Sequence, residues 1–83
     1  MAAIKIYGAN WCPATRATIA HLKLLKLPYD YVDIDHDREA AAWVASQNDG
    51  KERKPTLDVA GEVLTAPSDE ELDEILQEKG FLS

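Results

Sequence analysis

The chain contains one cysteine, Cys12, so the sequence excludes a framework of internal disulfides. No apolar run approaches the ~18 residues that a membrane-spanning helix needs. The first residues lack a basic segment followed by a long apolar core, so no secretory signal is expected. Together these absences predict a cytoplasmic protein that does not associate with a membrane.

Basic residues are also scarce, since nine Lys and Arg stand against fifteen Asp and Glu, for a net charge of -6. This balance disfavours non-specific binding to nucleic acid or to an anionic membrane. Many of the acidic residues fall between residues 69 and 78. They form either a solvated helix face or an acidic docking surface. The 83 residues predict a single domain, 1–83, which we expect to be a monomer.

The lone thiol lies between a short apolar run and a segment with helical periodicity. Pro13 suits the first position of a helix, because it has no N–H and its backbone angle is preset. Cys12 is then the N-cap residue, and its sulfur faces amide donors and the positive end of the helix dipole. Such surroundings lower the pKa of a cysteine and populate the nucleophilic thiolate. The sequence therefore predicts a reactive cysteine here.

The rest of the chain alternates strand-like and helical patterns without a repeat or a linker. Alternating residues predict a second strand over 29–35, parallel to the first. Apolar residues at helical spacing predict a first helix that continues to Leu27 and is stopped by Pro28; they are Ala17, Ala20, Leu24 and Leu27. The other predicted elements are a strand over 4–7, a helix from 37 to about 48, a hairpin of strands 56–59 and 62–65, and a last helix from Ser68 to Gly80.

The segment Trp11-Cys12-Pro13-Ala14-Thr15 after a short strand resembles the active-site loop of the glutaredoxin branch of the thioredoxin superfamily. In pattern it is most similar to mycoredoxins, the mycothiol-linked relatives. The resemblance implies the α/β fold βαβαββα, a four-stranded mixed sheet flanked by three helices. Thr15 stands where the family's second cysteine or a serine is usual, so the resemblance is to a one-cysteine variant.

The resemblance also implies the roles of individual residues. Cys12, Pro13 and Thr15 take the catalytic positions, where Thr15 either donates a hydrogen bond to the thiolate or only fills space. Pro55 corresponds to the cis-proline that faces the cysteine in this family; the alternative is a proline at a strand edge. Lys54 replaces the usual apolar residue before it and, like Arg16, brings a cation that either stabilises the thiolate or is only solvated. The implied substrate-binding residues are Trp11, Arg16, Arg53, Lys54, Pro55, Ser68 and Asp69.

The start of the last helix receives the γ-glutamyl part of glutathione in glutaredoxins. Here the segment 64–69 looks more like the Leu-Thr-x-Pro-Ser run of mycoredoxins. Amides at Ser68 and Asp69 can bind a carboxylate or sugar hydroxyls, although Ser68 would cap this helix in any protein. The basic residue that many glutaredoxins place before the cysteine is missing from 7–10, which disfavours glutathione.

The function that the resemblance implies is monothiol thiol–disulfide exchange. Cys12 would reduce mixed disulfides between proteins and a low-molecular-weight thiol, which is mycothiol, bacillithiol or glutathione, without a metal. A binding or adaptor module that has lost turnover is the alternative from another class. Iron–sulfur transport is a further alternative, although the Cys-Gly-Phe-Ser motif and the insertion typical of cluster-binding relatives are absent.

Overall fold

The computed structural model describes residues 3–82. Its elements follow the predicted order βαβαββα. They are β1 (Ile4–Gly8), α1 (Pro13–Leu24), β2 (Asp30–Asp33), α2 (Arg38–Gln47), β3 (Thr56–Val59), β4 (Glu62–Thr65) and α3 (Asp69–Glu78). None of the helices within this range is long and apolar enough to cross a membrane.

The four strands form one mixed sheet in the order β2-β1-β3-β4. β1 pairs in parallel with β2, with Ile6 opposite Tyr31, and antiparallel with β3, with Ile6 opposite Leu57. β3 and β4 form an antiparallel hairpin. The predicted fold class, the parallel first pair and the hairpin are therefore confirmed. The central place of β1 brings its carboxyl end, and the loop with Cys12, to the middle of one sheet edge.

The predicted end of α1 is wrong by three residues, since the helix stops at Leu24 and not at Leu27. Lys26 adopts a left-handed backbone with φ of 59° and donates its N–H to the Lys23 carbonyl. Leu27 N–H then donates to the Leu22 carbonyl, which completes a Schellman motif. The helix is thus closed by a lysine where glycine is usual, before Pro28 is reached.

Two apolar clusters pack on opposite faces of the sheet. The larger cluster lies under α1 and α3, and its fully buried side chains are Ile4, Ile6, Leu22, Leu57, Val59, Leu72 and Leu76. The smaller one contains Ile34, Ala41 and Val44, and the rings of Trp43 and Tyr7 pack beside it, tilted by 33° with 4.7 Å between their centroids. Trp43 therefore anchors α2, as the sequence predicts.

The residues of α1 that are buried differ from the apolar residues whose spacing predicted the helix. Its buried residues are Thr15, Thr18 and Leu22, whereas Leu24 is 78% exposed. Threonine places a methyl group in the core and keeps a hydroxyl for local hydrogen bonds. Because one of these threonines lies just after the cysteine, the buried face of α1 connects the core with the site.

Candidate functional site

Cys12 lies at the junction of the β1 loop and α1. It is the N-cap residue, with extended backbone angles, and Pro13 is the first residue of the helix. The Cys12 carbonyl accepts from the Arg16 N–H at 3.1 Å and so starts the helical hydrogen bonding. The predicted positions of Cys12 at the N-cap and Pro13 at the start of the helix are confirmed, and the cysteine is partly exposed.

The surroundings of Cys12 favour the thiolate. Burial opposes the charge and is the largest single influence, but the groups around the sulfur outweigh it and lower the pKa of Cys12. The Thr15 hydroxyl contributes most, followed by the backbone N–H groups of Thr15 and Ala14 and by the charge of Lys54. The sulfur makes no formal capping hydrogen bond, so the effect comes from several nearby donors rather than one. A lowered pKa means that more thiolate is present near neutral pH.

Thr15 is fully buried between the thiol and the end of β1. Its hydroxyl accepts from the Ala9 N–H at 3.4 Å and also favours the Cys12 thiolate. A Cβ on Gly8 would lie 2.5 Å from Thr15 Oγ1 and 2.6 Å from its Cγ2, so only glycine fits beneath this side chain. Thr15 thus fills space and supports the thiolate at the same time.

The Lys54–Pro55 peptide bond is cis, as the resemblance implies. Pro55 is buried, and its carbonyl accepts from the Ala66 N–H at 2.7 Å. β3 pairs with β1 only from Thr56 onward, so Lys54 precedes the paired part of the strand. The Thr56 hydroxyl donates to the Arg53 carbonyl at 3.0 Å, which closes the loop around this bond.

Trp11 and Lys54 meet at a residue that the sequence did not indicate, Asp35. The Trp11 indole is 65% exposed and donates from Nε1 to Asp35 Oδ2 at 2.6 Å. Lys54 Nζ lies 3.9 Å from Asp35 Oδ1 and 5.2 Å from the centre of the indole ring. The position of Asp35 after the second of two parallel strands was the available signal, because the carboxyl ends of parallel strands share one sheet edge.

Asp33 and His36 form a second polar pair near this edge. His36 Nδ1 lies 2.7 Å from Asp33 Oδ2, and this hydrogen bond raises the pKa of the exposed imidazole and lowers the pKa of the carboxyl. Burial raises the pKa of Tyr31, helped by the charges of Asp33, Asp35 and the Cys12 thiolate. The Tyr31 hydroxyl is buried and has no hydrogen-bond partner among residues 3–82.

The two predicted arginines are exposed, and neither side chain forms an ion pair within the described part of the chain. Arg16 belongs to the first turn of α1, and Arg53 takes part in the loop before Pro55 through its backbone: its N–H donates to the Lys51 carbonyl and its carbonyl accepts from the Thr56 hydroxyl. The structure therefore gives no contact that brings either guanidinium to Cys12.

The start of α3 is occupied by its own side chains. Ser68 Oγ accepts from the Glu71 N–H at 3.2 Å, and the Ser68 N–H donates to Glu71 Oε1 at 3.0 Å. These two bonds confirm the predicted capping box. The Asp69 carboxylate lies 3.7 Å from His21 Nδ1, and Asp73 Oδ1 lies 2.8 Å from His21 Nε2, which ties α3 to α1. The Ser68 amide is thus already bonded to a carboxylate.

Residues 3–82 contain no group of three or more His, Cys, Asp and Glu side chains arranged to hold a metal ion. Around Cys12 the site combines one thiol, a buried hydroxyl, helix amides and a nearby ammonium. Such a set can form and break a disulfide with an external sulfur.

Comparison with known proteins agrees with this geometry. The sequence pattern of the family described as Glutaredoxin matches residues 4–64. The chain is 40% identical over 72 residues, 86% of each chain, to a Mycobacterium tuberculosis protein named "Putative glutaredoxin". It is also 40% identical over 57 residues to mycoredoxin 1 of Corynebacterium glutamicum, covering 69% of this chain and 70% of that protein.

Solved structures show the same architecture. A mutant of a thioredoxin-like protein superposes with a TM-score of 0.82 at 26% identity, covering 93% of this chain and 97% of the other. A glutaredoxin from Archaeoglobus fulgidus superposes with a TM-score of 0.78 at 23% identity, covering 93% and 88%. Its fold, its thiol at the start of α1 and its matched residues 4–64 therefore place this chain in the glutaredoxin family of the thioredoxin fold.

Proposed function

We propose that this chain is a monothiol oxidoreductase that reduces mixed disulfides between proteins and a small thiol through Cys12. The observation that supports it most is the placement of a single cysteine at the N-cap of α1, with its pKa lowered, in a glutaredoxin-family chain. Thr15 occupies the position of a resolving cysteine and cannot attack a disulfide. One protein thiol is enough for the following cycle.

In the first step the Cys12 thiolate attacks the sulfur of the small thiol in the mixed disulfide. A bond forms between Cys12 and that sulfur, the protein–small-thiol bond breaks, and the released protein thiolate takes a proton from water. In the second step the thiolate of a second small-thiol molecule attacks the small-thiol sulfur on Cys12. This step yields the small-thiol disulfide and regenerates the Cys12 thiolate, so no electrons are left over.

The other residues of the predicted site have the following roles in the proposal. Pro13 starts α1 directly after the nucleophile, and the Thr15 hydroxyl supports the thiolate. Trp11, Lys54 and cis-Pro55 line the approach of the disulfide, and the backbone at Lys54 pairs with an extended substrate. Arg16, Arg53, Ser68 and Asp69 are proposed as outer contacts of the small thiol.

We infer further that the small thiol is an uncharged, hydroxyl-rich molecule such as mycothiol rather than glutathione or bacillithiol. The Glu71 carboxylate already accepts from the Ser68 amide, and the first turn of α3 also carries Asp69 and Glu70. A second carboxylate at this helix start would meet like charge. The relative named mycoredoxin 1 supports the same choice.

The test is turnover of one peptide that carries mycothiol, bacillithiol or glutathione on its cysteine, with the matching small thiol as reductant. We expect turnover with the mycothiol adduct, none with a Cys12→Ser variant, and a trapped intermediate whose mass is Cys12 plus the small thiol. A trapped adduct between Cys12 and the peptide would contradict the mechanism. Absence of turnover with every adduct would favour the adaptor alternative.

The proposed cycle needs a compartment that supplies reduced small thiol and thiolated proteins, and we therefore propose the cytoplasm. The partners are thiolated proteins that present an accessible disulfide. Neither nucleic acid nor membrane has a part in the cycle, and the protein is proposed to act as a monomer.

A further inference from the structure

Three side chains from three different loops meet on one side of Cys12. Trp11 precedes the cysteine, Asp35 follows β2, and Lys54 precedes cis-Pro55. The Asp35 carboxylate contacts both others, through Oδ2 to the indole N–H at 2.6 Å and through Oδ1 to the ammonium at 3.9 Å. One carboxylate therefore joins the loop that carries Cys12 to the loop before Pro55.

The indole depends on this carboxylate for its position. Trp11 is 65% exposed, so packing against the core does not fix it, and its hydrogen bond to Asp35 is short and charge-assisted. An exposed aromatic side chain that is held in one orientation offers a preformed surface beside the sulfur. Asp35 is the residue that keeps it there.

The ammonium of Lys54 is shared among several partners. Its distance of 3.9 Å to Asp35 is at the limit of an ion pair, and it lies 5.2 Å from the Trp11 ring centre. The same charge favours the Cys12 thiolate and the Asp33 carboxylate. With a side chain only 18% exposed, Lys54 cannot move fully into solvent without losing these contacts.

We propose that Asp35 is a positioning residue that holds the Trp11 indole beside Cys12 and divides the Lys54 ammonium between its own carboxylate and the cysteine sulfur. This inference rests on the proposed function, in which Cys12 is the nucleophile. Asp35 does not touch the sulfur in this arrangement and acts through Lys54 and Trp11.

The division of the ammonium matters because Cys12 alternates between two charge states. As a thiolate it competes with Asp35 for Lys54, and as a disulfide it is neutral and leaves Lys54 to Asp35. A more stable thiolate is a better leaving group and a weaker nucleophile. Asp35 thus limits how far Lys54 stabilises the thiolate, which balances attack against release.

Other charged and titratable groups face the same place. Asp33 Oδ1 accepts from the Asp35 N–H at 3.0 Å, and Asp33 is also bonded to His36. Tyr31 lies on β2, and its pKa is raised by burial and by the charges of Asp33, Asp35 and Cys12. Because the hydrogen bond between His36 and Asp33 raises the pKa of His36 and lowers the pKa of Asp33, profiles for all variants must be compared over one range of pH and at one ionic strength.

The experiment is the pH profile of Cys12 alkylation by iodoacetamide in the wild type, Asp35→Asn, Lys54→Met and the double variant. For Asp35→Asn we expect a lower midpoint, about twofold faster alkylation below it and a slower plateau above it. Lys54→Met should raise the midpoint. In the Lys54→Met background the effect of Asp35→Asn should be smaller, because no ammonium is left to release.

Two further comparisons separate the effect of charge from the effect of structure. Glu39→Gln removes one exposed acid elsewhere and should leave the profile unchanged, which controls for net charge. In a Trp43→Phe background, Asp35→Ala should increase acrylamide quenching of Trp11 fluorescence, whereas Asp35→Asn retains an acceptor and should not. An unmoved profile in Asp35→Asn, with only a lower melting temperature, would overturn the inference.

Strict additivity of the Asp35→Asn and Lys54→Met shifts would also overturn it. Alkylation requires no disulfide substrate, so this result is independent of turnover. A coupled shift without turnover would sustain the positioning role and reject the proposed reaction. Turnover together with additive shifts of the midpoint would support the proposed reaction and reject the positioning role of Asp35.

Discussion

Thr15 contacts both the thiol and the end of β1, so its hydroxyl can be tested apart from its bulk. We expect Thr15→Val to raise the pKa of Cys12, because the valine cannot donate to the thiolate. Thr15→Ser keeps the donor and should stay near the wild-type pKa. The measurement is the midpoint of the pH profile of Cys12 alkylation, and equal midpoints for the two variants would contradict the role of the hydroxyl.

The same hydroxyl accepts from the buried Ala9 N–H at 3.4 Å. Thr15→Val leaves that amide without its partner, and we expect a loss of about 1–3 kcal/mol in the free energy of unfolding. Urea denaturation of the two Thr15 variants measures this loss. A valine variant as stable as the wild type would indicate that the amide finds another acceptor.

At the level of elements, the contact of β1 with α1 depends on the absence of a side chain at Gly8. A Cβ there would lie 2.5 Å from Thr15 Oγ1, so Gly8→Ala should displace the start of α1 and cost about 1–3 kcal/mol of stability. We expect Gly8→Ala to cost less in a Thr15→Ala background, which removes the two nearest atoms, Oγ1 and Cγ2, and leaves Thr15 Cβ at 3.1 Å. Thermal denaturation of the wild type, the two single variants and the double variant measures the coupling between Gly8 and Thr15. If the two losses of stability add, the strain in Gly8→Ala does not come from Thr15.

The first turn of α3 combines a stabilising cap with a charge that opposes carboxylates. Ser68→Ala should lower the free energy of unfolding by about 1 kcal/mol, because the hydroxyl bonds the Glu71 N–H. Ser46→Ala, which alters an exposed serine inside α2, should change stability by less than about 0.5 kcal/mol. Equal losses in the two variants would remove the argument for the cap.

Glu71 itself tests the choice of small thiol. Glu71→Gln can still accept from the Ser68 amide but removes the negative charge at the helix start. We expect it to raise turnover of a glutathione adduct relative to a mycothiol adduct. Glu70→Gln removes the same charge from the same turn without a bond to Ser68, and should have the smaller effect. A larger effect of Glu70→Gln than of Glu71→Gln would contradict the placement of the small thiol at the Ser68 amide.

The order of the elements and the geometry of Cys12 follow from local patterns in the sequence, because strand alternation, Pro13 and the capping box are local signals. The end of α1 does not follow from such a pattern, since a lysine is not a residue that predicts the left-handed backbone found at Lys26. The meeting of Trp11, Asp35 and Lys54 had only one signal in the sequence, the position of Asp35 at the end of a strand predicted to be parallel to β1. These residues are 24 and 19 positions apart in turn, and only the order of strands brings them together.

At the scale of the whole molecule, the lowered pKa of Cys12 links stability to pH. The thiolate is favoured in the folded state, so its contribution is present above the pKa of an unfolded cysteine and is lost as pH falls through the folded pKa. We expect the unfolding free energy of the wild type, relative to Cys12→Ser, to rise with pH between those two pKa values. Urea titrations under reducing conditions measure this difference, and a constant difference would show that the thiolate is not favoured.

The sheet order also bears on self-association. β2 lies at one edge of the sheet, and its four residues begin and end with an acid, Asp30 and Asp33. If a second copy added its own β2 in the antiparallel direction, each Asp30 would stand opposite an Asp33, and like charges directly opposite one another destabilise a strand pair. The acidic ends of this short strand therefore disfavour continuation of the sheet from one molecule into the next through β2.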